Sequence, residues 1–108
     1  MQYSPVNPAP DISHIVHDDQ GRAWIDGSNV KVIEVVLDHL AYGWSPEEIH
    51  WQQPHLSLGQ VYAALAYYHD HRDAFDAMVK QGLESADVAS KASGHSPAAL
   101  RLRAISAR

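Results

Sequence analysis

Three observations predict a mainly α fold, in which a small N-terminal β-hairpin precedes a three-helix, helix-turn-helix-like bundle. Apolar residues recur at helical spacing from Val32 onward, Gly43 and Pro54 punctuate that pattern, and two short β-prone segments flank a turn before it. An extended third helix and a C-terminal tail helix complete the expectation. With 108 residues, 45% hydrophobic content and all three tryptophans between positions 24 and 51, the chain has material for one modest core.

The elements follow in order. Pro5, Pro8 and Pro10, with no apolar periodicity around them, predict a flexible arm over residues 1–12. HIVH and RAWI, separated by Asp18-Asp19-Gln20-Gly21, predict the hairpin, and Asp26-Gly27-Ser28-Asn29 predicts a second turn. Val32, Val35, Val36, His39, Leu40 and Tyr42 fall near one face of a first helix over 32–42, which Gly43 ends. Ser45 suits an N-cap and Pro46 the first position of a second helix. Glu47 and Glu48 suit its positive end, and Pro54 stops it after Gln52. Ser57 caps a third helix whose apolar positions Leu58, Val61, Leu65, Tyr68, Phe75, Met78 and Val79 continue for more than twenty residues, until Gly82. A short helix over Ser85 to Ala92 and a last one from Ser96-Pro97 then fill the tail. The expected organisation is an arm at 1–12, a domain at 13–81 and a partner-binding tail at 82–108.

Charge is distributed unevenly. Residues 1–70 carry nine acids against Arg22 and Lys31 alone, whereas residues 71–108 are mildly basic. Cysteine is absent, which excludes disulfides and thiolate metal sites, and no apolar run is long enough to span a membrane. A signal peptide is not evident in MQYSPVNPAP, so a cytoplasmic location is expected.

The stretch from Trp24 to about Phe75 resembles the bacterial family known as domain of unknown function 433. The resemblance is carried by Gly27, Gly43, the Ser45-Pro46-Glu47-Glu48-Ile49 run, the Pro54-His55-Leu56 step, and Val61 with Ala64 to Tyr68. It implies a helix-turn-helix-like fold behind a small β element, and a role as a VapB-like antitoxin that restrains a PIN-like ribonuclease toxin. The chain departs from the family pattern at Asn29 and Lys31, where relatives usually carry arginine and proline.

The functional expectations are therefore an antitoxin of a type II toxin-antitoxin pair, repressing its own operon as a complex, or a stand-alone DNA-binding regulator. Ser57, Gln60 and Tyr62 are the residues expected to touch DNA, although no lysine or arginine accompanies them to neutralise phosphates. Tyr68, Phe75, Met78, Val79 and Leu83 are expected to form the seam of a homodimer. Leu100, Leu102 and Ile105, with Arg101 and Arg103, are expected to bind the toxin, the aliphatics as anchors and the arginines reaching for its metal-binding acids. No cofactor, metal or catalysis is expected. His69 and His71, two apart on a helix, diverge rather than chelate, and no nucleophile elbow or phosphate loop occurs.

Overall fold

Ile15 lies opposite Ile25, Val16 opposite Trp24 and His17 opposite Ala23 in an antiparallel ribbon of β1 (Ile15–His17) and β2 (Ala23–Ile25). The computed structural model describes residues 13–93 and 97–106, with side chains over 13–84 and 100–105. The arm expected at residues 1–12 lies outside the described residues. Asp18 organises the turn of the ribbon: its carboxylate accepts the backbone N–H groups of Gln20 and Arg22, each at 2.9 Å. Gly21 there adopts a φ of 79°, a left-handed conformation that favours glycine. Ser28 then reverses the chain, donating its hydroxyl to the Ile25 carbonyl at 2.7 Å and accepting the Val30 N–H at 3.1 Å. That reversal brings Lys31 back into a bridge with Trp24. Two short strands are marginal alone in water, and Ile25, fully buried, anchors them to the helices.

Helix α1 (Val32–Tyr42) begins where the Lys31 backbone N–H donates to the Glu34 carboxylate at 2.7 Å. Val32, Val35 and Val36, spaced for one face, are fully buried. Complete burial of such side chains contributes about 1.5–3 kcal/mol each. Gly43 ends the helix with φ 69°, its N–H reaching the His39 carbonyl. Replacing Gly43 with alanine is expected to cost about 1 kcal/mol, because a Cβ disfavours that conformation, and to lower the melting temperature by several degrees in a thermal scan.

Helix α2 (Pro46–Gln52) and helix α3 (Leu58–Asp70) start with reciprocal caps of the same design. Ser45 and Glu48 exchange side-chain and backbone bonds at 3.2 and 3.0 Å, and Ser57 and Gln60 do so at 3.1 and 2.7 Å. Between the two helices, Leu56 is fully buried while its carbonyl accepts from the His50 ring at 2.7 Å. Ile49, Leu56, Val61, Ala64 and Leu65 join the α1 valines in one core.

The long third helix expected from the apolar spacing is two helices, α3 and α4 (Arg72–Ser93), parted at His71. The His71 ring nitrogen bonds the Tyr67 carbonyl at 2.9 Å, taking the acceptor that its own backbone N–H would use in a continuing helix. The His71 N–H bonds Tyr68 instead, and the backbone leaves helical geometry at φ −130°, ψ 37°. Gly82 does not end a helix, and residues 85–92 form no separate one, because α4 runs unbroken through both. A Cβ on Gly82 would come within 3.2 Å of Leu102, so glycine there admits the last helix, α5 (Pro97–Ser106).

Helix α5 packs against α1 and α4. Leu102 is buried with Leu37 and Val79, and Ile33, Leu40, Leu83 and Ile105 surround them. The expected boundary at residue 82 is therefore internal to one body. The expected dimer seam needs the same correction. Tyr68, Phe75 and Val79 are buried within their own chain, and Leu83 packs beside Val79, which leaves Met78 as the exposed member. The break at His71 causes this, since it redirects Phe75 onto the rings of Tyr67 and Tyr68, which it meets edge-on at 5.9 and 5.8 Å.

Candidate protein-binding face

Helices α2 and α3 share an outer surface that is aromatic and acidic. Ile49 points into the core, and Trp51, two residues later and about 200° round the helix, points away from it. Trp51 is 74% exposed. One turn earlier, Glu47 accepts the Tyr62 hydroxyl at 2.7 Å, which ties α2 to α3. That bond lowers the Glu47 pKa and raises that of Tyr62, so the carboxylate is held charged and the phenol protonated. No lysine or arginine occurs from Gly43 to His71. No sequence motif marks Trp51 as functional, although its helical phase relative to Ile49 is legible.

The residues expected to read DNA have intramolecular roles. Ser57 caps α3, and Tyr62 is bonded to Glu47. The Gln60 amide is engaged at both ends: its oxygen accepts from Ser57 N–H and its nitrogen donates to the Asp26 carbonyl at 2.8 Å. An adenine edge would have to displace both bonds.

Most of the tail expected to bind a toxin is likewise engaged at home. Arg101 pairs with Asp38 at 3.0 Å, Leu102 is buried, and Ile105 packs beside it, whereas Leu100 is half exposed. Arg103 also lies on α5, partly exposed. Asp38 is marked by no sequence motif, although a carboxylate three residues beyond Val35 on the apolar face is a visible signal. It is 4% exposed, and its second oxygen accepts from Gln53 at 2.8 Å. One buried carboxylate thus joins α1, the end of α2, and α5.

A separate cavity of about 350 Å³ opens between the hairpin turn, the start of α1 and the α3–α4 break. Ala23, Ile33, Ala74 and Met78 wall it. Tyr67, His71 and Phe75 form an aromatic side, with Tyr67 and His71 stacked at 4.0 Å and the Tyr67 hydroxyl 2.8 Å from the His17 ring. Arg22 and Lys31 also line it. Both cations are positioned through Asp18 and Trp24: Asp18 pairs with the Arg22 Nε at 2.6 Å and accepts the Trp24 indole N–H at 2.9 Å, and the Lys31 ammonium lies 5.4 Å from the Trp24 ring centre.

The Trp24 indole bond, helped by the N–H groups of Arg22 and Gln20 and by the Arg22 side chain, holds Asp18 well below the usual carboxylate range. Because the folded carboxyl titrates below the unfolded one, its stabilising contribution is complete above the ordinary range, about pH 4, and is lost as pH falls from there toward the folded value. The Trp24 indole N–H resonance is accordingly expected to hold its position through the titration of exposed carboxylates. In Asp18→Asn it should sit at a different shift already at neutral pH, which a proton–nitrogen NMR titration reads directly.

Among the described residues, no group of three or more histidine, aspartate or glutamate side chains is placed to hold a metal ion, and no helix is long and apolar enough to cross a membrane. Neither a curated protein nor a solved structure matches the chain. Residues 19–68 match the sequence profile of one family. They run from the turn of the ribbon to the last buried tyrosine of α3 and so comprise β2, α1, α2 and most of α3. On that match residues 19–68 form a segment of the family described as protein of unknown function, DUF433.

Proposed function

We propose that the chain is the non-catalytic half of a toxin-antitoxin pair, a protein that binds a PIN-like ribonuclease and represses the operon only as part of that complex. The observation that supports this reading is the α2–α3 face, with exposed Trp51 and Tyr62 among Glu47 and Glu48 and no cation from Gly43 to His71. Tryptophan and tyrosine are the side chains most often found as energetic anchors of protein interfaces. A ribonuclease presents a basic groove to the phosphates of its substrate, and a surface of fixed carboxylates around aromatic rings complements such a groove. The same surface repels the DNA backbone, which weighs against a stand-alone regulator.

The test is purification of the tagged full chain from its own host at native expression, with mass spectrometry of co-eluting proteins and native mass for stoichiometry. A small ribonuclease in fixed ratio is expected. Trp51→Ala, at a site that contributes nothing to the core, should weaken its retention by about 30-fold or more while the helical circular dichroism stays unchanged. A chain that elutes alone and retains its own promoter DNA would overturn the proposal.

A further inference from the structure

Arg22 and Lys31 are the only lysine or arginine among the first 70 residues, and both line the cavity beneath the hairpin turn. The nine carboxylates of the same 70 residues contribute nothing to that lining among the described residues. The two cations differ in how they are held. Arg22 is paired with Asp18, so that couple is close to neutral. Lys31 lies over the Trp24 ring, and no carboxylate among the described residues pairs with its ammonium. An aromatic face attracts a cation without neutralising it, and the Glu34 carboxylate is bonded to the Lys31 backbone N–H rather than to its ammonium, so the ammonium is available to an anion. Its remaining surface is mostly apolar, through Ile33, Phe75, Met78 and two alanines whose small side chains leave the space open.

We infer that this cavity binds a small amphipathic monocarboxylate, with the carboxylate at Lys31 beside Arg22 and a ring or short chain against Ile33, Phe75 and Met78. One ammonium without a paired carboxylate among the described residues matches one carboxylate rather than two. A volume of about 350 Å³ lies at the small end of ligand pockets and suits a molecule of about a dozen non-hydrogen atoms. The inference does not depend on the proposed antitoxin role, since the cavity uses none of the residues of the α2–α3 face.

The test uses the full chain with labelled methyl groups, titrated with 4-phenylbutyrate and, as its uncharged counterpart, 4-phenyl-1-butanol. Saturable shifts at the methyls of Ala23, Ile33, Ala74 and Met78 are expected with the carboxylate, half-complete at about 0.1 to 1 mM, with the alcohol at least tenfold weaker. Lys31→Met keeps an apolar stem over Trp24 and removes the charge. It should weaken the carboxylate about tenfold and leave the alcohol unchanged. Ala74→Trp, at an exposed position, should fill the space and abolish both. The inference is overturned by shifts that do not saturate, by equal binding of acid and alcohol, or by a Lys31→Met variant that binds as the native chain does. It is also overturned if the same methyls shift on simple concentration of the protein, which would show a second copy occupying the cavity.

Discussion

Phe75→Ala is expected to destabilise the protein by about 3–5 kcal/mol, a large part of the 5–15 kcal/mol available to a domain of this kind. Phe75 is 4% exposed and meets both Tyr67 and Tyr68 edge-on, so truncation removes its buried surface and two aromatic contacts, and leaves a void where α3 turns into α4. Urea denaturation monitored by helical circular dichroism gives the value directly. Phe75→Glu sharpens the prediction, because a carboxylate buried among those rings should unfold the chain rather than dissociate a dimer. If Phe75→Glu instead keeps its stability and converts a dimer to a monomer in sedimentation, the side chain belongs to an interface and the intramolecular core described above is wrong.

The second large effect is expected at Asp38. Asp38→Ala leaves Arg101 and Gln53 facing an apolar seam without their acceptor, and loss of one member of a buried pair costs about 3–5 kcal/mol. The lower end is expected, since the Arg101 side chain retains 18% exposure and gains solvent as it relaxes. Asp38→Leu combined with Arg101→Met should recover most of the loss, because two apolar side chains fill the place of two charges without an unpaired group. A double-mutant cycle by thermal denaturation reads the coupling. Additive single and double effects would mean that the two residues do not meet. Hydrogen exchange adds a spatial readout: Asp38→Ala should deprotect α5 before the helices of the main core.

The first three helices were legible because their boundaries are written in local chemistry. Ser45 with Glu48 and Ser57 with Gln60 form their caps within four residues, and Gly43 ends α1 through its own backbone, so no distant partner was needed to place them. The His71 break was not legible. Tyr68, Phe75 and Val79 continue the apolar spacing across it, no proline or glycine marks it, and its cause is one ring nitrogen choosing a carbonyl four residues back. Gly82 misled for a related reason: it serves a helix that arrives from twenty residues further on, rather than its own turn.

The functional assignments diverged along the same line. Gln60 and Arg101 carry polar groups suited to a nucleic acid or a partner, and a sequence shows such groups without showing what already occupies them. Gln60 is bonded to Asp26, 34 residues away, and Arg101 to Asp38, 63 residues away. Trp51, which carries the proposed interface, was readable from helical phase, whereas the cavity was not, because its walls come from four elements that meet only when the chain bends at His71.

The pairing of Asp38 with Arg101 also sets an order of events during synthesis. The ribosome delivers α1 to α3 well before α5, and their contacts are close enough in sequence to form at once, whereas the pairing spans 63 residues and waits for the last described helix. In that interval Asp38 has Gln53 as its partner, and Leu37 and Val79 lack the cover of Leu102. A released chain truncated before α5 would therefore display Leu37 and Val79 beside a half-satisfied carboxylate, an apolar stripe that the last described helix covers.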